Sequence, residues 1–127
     1  MRSIEEIEEF EKVINQLNML IKDFHDLSRK KPSESVNKFK LELVNVVLHK
    51  LNSILDDSDK PFESFSQFSD EELPFNSDVL VVLNQYHTCS KRFAKKNVER
   101  TQYAYDYWEV DGKSTGRSVS INKLFGE

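Results

Sequence analysis

One stretch, Val36 to Leu55 (VNKFKLELVNVVLHKLNSIL), stays apolar for longer than any other part of a chain in which 31% of the residues are charged. Whatever the chain folds into has to cover it. Val36, Phe39, Leu43, Val47, Leu51 and Ile54 recur every three or four residues, the spacing of one helix face. Leu41, Val44, Val46, Leu48 and Leu55 widen that face, and a helix apolar over so much of its circumference belongs in the middle of a fold. The β-branched Val44, Val46 and Val47 favour strand. Sustained periodicity over about 20 residues exceeds an ordinary strand, however, so the reading is helix from about 33 to 55. Ser33 is its candidate N-cap, with Glu34 in the first turn.

The N-terminal segment predicts a second long helix, from about 3 to 28. Ser3 and Glu6 have the spacing of a capping box. Ile7, Phe10, Ile14, Leu17, Ile21 and Phe24 then step by three and four in a heptad seam, with Val13, Leu20 and Leu27 as a second column beside it. A face that wide suits two neighbouring helices of the same chain; the alternative is a seam shared with a second copy. The basic turn Ser28 to Pro32 joins these helices as an antiparallel hairpin.

From 56 to 76 the pattern changes to an acidic, aromatic connection holding 8 acids up to Asp78 against Lys60 alone. Phe62, Phe65 and Phe68 recur every three residues, which suits a 3₁₀ turn, and Ser69 with Glu72 could start one further turn before Pro74. The phenylalanines are either wedges packing the connection back on the helices or anchors for another protein. Asn76, Ser77 and Asp78 offer cap chemistry for a third helix, from about 77 to 100, with Val79, Val82, Leu83, Tyr86, Cys89, Phe93 and Asn97 facing inward. Lys91, Arg92, Lys95, Lys96 and Arg100 make its second half basic.

In the tail, 101 to 127, Tyr103, Tyr105 and Tyr107 alternate with Ala104, Asp106 and Trp108, and Asp111-Gly112 is a two-residue hairpin signal. Helix continuing to Trp108 is the competing reading. A lone ribbon is marginal in water, so this one must lean on the helices through Trp108 or pair with another chain. Residues from Ser114 onward read as loosely held. The whole is thus expected to be one mainly α domain: three long helices in an antiparallel bundle with a small C-terminal hairpin or extended tail.

Catalytic equipment is sparse. His25, His49 and His87 fall on three separate helices without a His or Cys at metal-ligand spacing, so no metal is expected. Asp56, Asp57 and Asp59 resemble a calcium loop only in composition, since Pro61 occupies a ligand position and the glycine is missing. The three glycines, Gly112, Gly116 and Gly126, make no phosphate loop, and Cys89 on an apolar face reads as a packed thiol rather than a nucleophile. No cofactor is expected. The lone cysteine, the absence of a leader pattern and an apolar run no longer than Val79 to Leu83 point to a cytoplasmic protein outside the membrane. The expected function is that of a non-enzymatic protein-binding or regulatory subunit, partnered by another protein or a second copy of itself, with Phe62, Phe65, Phe68 and Trp108 as candidate contacts. The alternative is nucleic-acid binding through Lys91, Arg92, Lys95, Lys96 and Arg100 with Tyr103, Tyr105 or Trp108 as stacking surfaces.

Overall fold

The computed structural model describes residues 1–127 apart from Ala104, so the place of Ala104 in the expected tyrosine alternation lies outside the described residues. Helices α1 (Ile4–Lys30), α2 (Lys38–Ile54) and α3 (Asn76–Lys96) come first. A three-stranded antiparallel sheet follows, formed by β1 (Val98–Glu99), β2 (Asp106–Val110) and β3 (Lys113–Val119), and then one turn of helix, α4 (Ile121–Leu124). The chain is mainly helical.

α1 begins at its capping signal, with Ser3 Oγ accepting from the Glu6 N–H at 3.0 Å. It runs past Ser28 to Lys30, with acids in its first turn and Arg29 and Lys30 in its last, as the helix dipole favours. Ile7, Phe10, Ile14, Leu17 and Phe24 of the seam are buried, so that seam is consumed inside the chain rather than offered to a second copy.

α2 differs from the reading in start and in phase. Asn37, not Ser33, is the N-cap, its Oδ1 accepting from the Lys40 N–H at 2.8 Å. The preceding residues form an extended arm, in which Val36 N donates to Pro74 O at 2.9 Å and Glu34 O accepts from Asn76 N at 3.0 Å. Leu41, Val44, Leu48, Leu51 and Leu55 make the buried heptad seam, with Val47 and Ile54 beside it. Phe39 and Leu43, expected on the inner face, point outward, as does Val46. Nor does α2 occupy the middle. α1 is the helix that packs against both others, most extensively against α3, while α2 covers one flank.

The connection contains a 3₁₀ turn at Asp57–Asp59, ahead of the phenylalanines rather than through them, and no helical turn forms at Ser69. Two asparagines of α2 pin it down. Asn45 grips Phe68 at both ends of its peptide plane pair, donating from Nδ2 to the Phe68 carbonyl and accepting from the Phe68 N–H, each at 2.9 Å. Asn52 donates to Ser66 O at 2.9 Å and accepts from the Tyr86 hydroxyl at 2.8 Å. Asn45→Ala strands two backbone groups that a bound asparagine satisfies, and the expected result is a loss of about 1–2 kcal/mol with faster proteolytic nicking between Phe65 and Leu73. Limited proteolysis beside a urea melt measures both.

α3 takes Phe75 as its N-cap, whose N–H donates to Asp78 Oδ2 at 3.0 Å. It stops at Lys96, short of Arg100, because Val98 is taken up by the sheet opposite Trp108. The tail is neither a helix nor loose. Asp111 (φ 51°) and Gly112 (φ 77°) both adopt positive φ in the two-residue loop between paired Val110 and Lys113, the geometry that matches strand twist. The strand begins only at Asp106, so Tyr103 and Tyr105 lie in a loop tied by Thr101 Oγ1 donating to Tyr105 O at 2.6 Å. Val119, Ile121 and Phe125 are buried, which anchors the residues after Ser114. At the centre, Phe10 of α1 meets Phe93 of α3 at 5.6 Å, Trp108 of β2 at 5.8 Å and Phe125 at 6.3 Å between ring centroids.

Candidate partner-binding surface

The phase of α2 creates the most conspicuous surface feature. The first half of α2 carries more apolar residues than one face can hold, and the seam with leucine at four of its five positions goes inward. The other stripe, Phe39 (69% exposed), Leu43 (46%) and Val46 (51%), lies open, joined across α1 by Met19 (68%). Between the banks run two clefts, one of about 460 Å³ lined by Leu20, Asp23, Leu27, Phe39, Lys40 and Leu43 among others, and one of about 240 Å³ lined by Gln16, Met19, Leu20, Asp23, Leu43 and Val46. They share Leu20, Asp23 and Leu43, so they form one groove along the two helices. Leu20 and Leu27, the second column of α1, are half-buried at its floor. Gln16 Oε1 is buried there with no hydrogen-bond partner among the described residues. The rim is charged on both banks: Asp23 on α1, Lys40 on α2, and Asp26, which lies 3.8 Å from Arg29 of its own helix.

The residues singled out from sequence are placed differently. Phe62, Phe65 and Phe68 are half-buried and pack on one another edge to face, with centroids 5.6 Å and 5.0 Å apart. Phe62 also reaches Tyr86 at 6.4 Å. Burial pushes the Tyr86 phenol above its ordinary range, although its hydrogen bond to Asn52 pulls the other way. The three rings therefore wedge the connection onto the helices. Trp108 is fully buried against Phe10, which removes it as a surface contact: the ribbon leans on the helices through it.

The basic set is dispersed and partly neutralised. Lys96 Nζ lies 2.6 Å from Asp59 Oδ1 and Arg92 Nε lies 4.0 Å from the same oxygen, with the Asp59 side chain 2% exposed. Lys91 pairs with Glu127, and that hydrogen bond holds the Glu127 carboxyl below the usual carboxylate range. Lys95 is exposed on α3, Arg100 lies beyond β1, and neither has an ion pair among the described residues. Tyr103 is exposed in the loop that follows. His87 Nε2 lies 3.0 Å from the Phe125 carbonyl, while His25 is at the surface. Among the described residues, no three His, Cys, Asp or Glu side chains converge as metal ligands, and no helix is long and apolar enough to cross a membrane.

Sequence reasoning missed Met19, Phe39, Leu43 and Val46 as surface residues and Asp59 as a buried one. For the three residues of α2 the excess of apolar positions in its first half signalled that some must face outward, though not which; Met19 of α1 carried no such signal. No family model, curated protein or solved structure matches the chain.

Proposed function

We propose that this chain is a non-catalytic binding protein that works through protein–protein contact, and that the open face of α1 and α2 is its contact surface. The observation that carries this reading is the exposure of Met19, Phe39, Leu43 and Val46 along one continuous groove. Side chains of this size left in water beside a charged rim are the usual composition of an interface core and its border. An antiparallel three-helix bundle is part of the reading. It is supported by Lys50 of late α2 lying 3.5 Å from Glu9 of early α1, while Phe39 of early α2 shares a cleft with Leu27 of late α1. A cytoplasmic setting agrees with the free, buried thiol of Cys89. The basic end of α3 supports nucleic-acid binding less well, because Asp59 and Glu127 already face three of its cations.

Leu43→Asp tests the reading. The substituted side chain is nearly half exposed in the free chain, so the stability loss is expected to stay at about 1–2 kcal/mol, and circular dichroism checks that the variant remains folded. A charge at the centre of an apolar contact, by contrast, weakens association by more than about tenfold. Light scattering and co-purification from the producing cell, for the parent and the variant side by side, measure the difference. Association that persists unchanged in Leu43→Asp overturns the proposal.

A further inference from the structure

The occupant of the α1–α2 groove can be narrowed by its charges, an inference that rests on the contact surface proposed above. Asp23 lies on the α1 bank and Lys40 on the α2 bank of the same cleft, both exposed and without an ion pair among the described residues. A two-fold axis running along the groove, parallel to the helices, would place α1 of one copy over α2 of the other and keep each residue at its own level. Asp23 of each copy then meets Lys40 of the other, and Met19 and Leu43 close over the apolar stripe between them. The face is therefore complementary to itself, as an isologous interface requires. We infer that a second copy of this chain occupies the groove, forming a two-fold dimer with a four-helix core.

The area is consistent with this. Met19, Phe39, Leu43 and Val46 together expose on the order of 400 Å², the size of the largest apolar patch on a typical monomer, which is often functional. A stable interface takes about 800 Å² from each partner, somewhat over half of it apolar. The four side chains supply most of that apolar core, and Asp23, Asp26 and Lys40 provide polar surface for the rim.

Charge reversal tests the arrangement on the full chain. Asp23→Lys alone creates two Lys–Lys contacts across the axis, and Lys40→Asp alone creates two Asp–Asp contacts. Each is expected to raise the dimer dissociation constant at least about tenfold in sedimentation equilibrium at low salt. An equimolar mixture of the two variants restores the parental dimer, because both contacts become Lys–Asp. The double variant restores it as well. Both side chains are exposed, and circular dichroism of each variant confirms that the helices remain. A parent that is monomeric but binds another protein, and loses it on Leu43→Asp, overturns the second copy while leaving the contact surface in place. A parental dimer indifferent both to the reversals and to Leu43→Asp overturns both.

Discussion

Trp108→Ala is expected to cost about 3–5 kcal/mol, the largest effect of any single substitution in this chain. The indole is fully buried, stands edge-on to Phe10 at 5.8 Å, and sits opposite Val98 in the sheet, so its removal opens a cavity where α1, β1 and β2 meet. The sheet has no other large side chain buried to this extent, and a small ribbon stripped of its anchor does not hold its register alone. Trp108→Phe separates volume from chemistry. The indole Nε1 is buried without a hydrogen-bond partner among the described residues, a burden of about 1–3 kcal/mol in the native state. Phenylalanine gives up some packing but also discards that donor, so the expected loss is under about 2 kcal/mol. Because the chain has one tryptophan, urea unfolding of both variants is followed by circular dichroism rather than fluorescence. Equal losses in the two variants would show that the ring fills no cavity of its own.

The same residue shows how far local pattern carries. Helix identity was legible wherever a seam of three-and-four spacing coincided with a cap, as with Ser3 and the series from Ile7 to Phe24. The Asp111-Gly112 turn was legible because positive φ at two successive positions admits few residue types. The rotation of α2 was not. Over its first half Phe39, Leu43 and Val46 keep the same three-and-four spacing as the buried seam, and the choice between them is made by tertiary geometry. The arm from Ser33 to Val36 is pulled against Pro74 and Phe75, Asn37 caps the helix, and Leu41 rather than Phe39 turns inward. The end of α3 was hidden for a similar reason. Lys96 and Arg100 have helical spacing, but a two-residue strand at Val98 interrupts the column, and short strands leave almost no periodicity to read. Asp59 was unreadable as a buried acid, since its partners lie more than thirty positions away on another element.

Lys96→Met is expected to destabilise the fold by about 2 kcal/mol, for a reason that concerns Asp59 more than Lys96 itself. The variant keeps the aliphatic stem and deletes the ammonium 2.6 Å from a carboxylate whose side chain is almost wholly out of water. Stranding a buried charge costs about 3–5 kcal/mol when nothing replaces its partner. Here Arg92, already 4.0 Å from the same oxygen and half exposed, can close part of the gap, which sets the lower figure. Asp59→Asn removes the demand from the other side: Lys96 and Arg92 are more than half exposed and rehydrate, so the expected cost is about 1 kcal/mol. The double variant then falls close to Asp59→Asn alone, giving a coupling energy of about 1–2 kcal/mol in the cycle. Urea melts at two salt concentrations measure it, and the coupling persists at high salt because the acid is shielded from counterions by burial rather than by distance. Strict additivity would mean that the carboxylate draws no support from Lys96. Asp59→Asn also releases two cations at the end of α3. If that variant gains salt-dependent affinity for an oligonucleotide that the parent lacks, the buried acid is what keeps the basic end of α3 from binding polyanions.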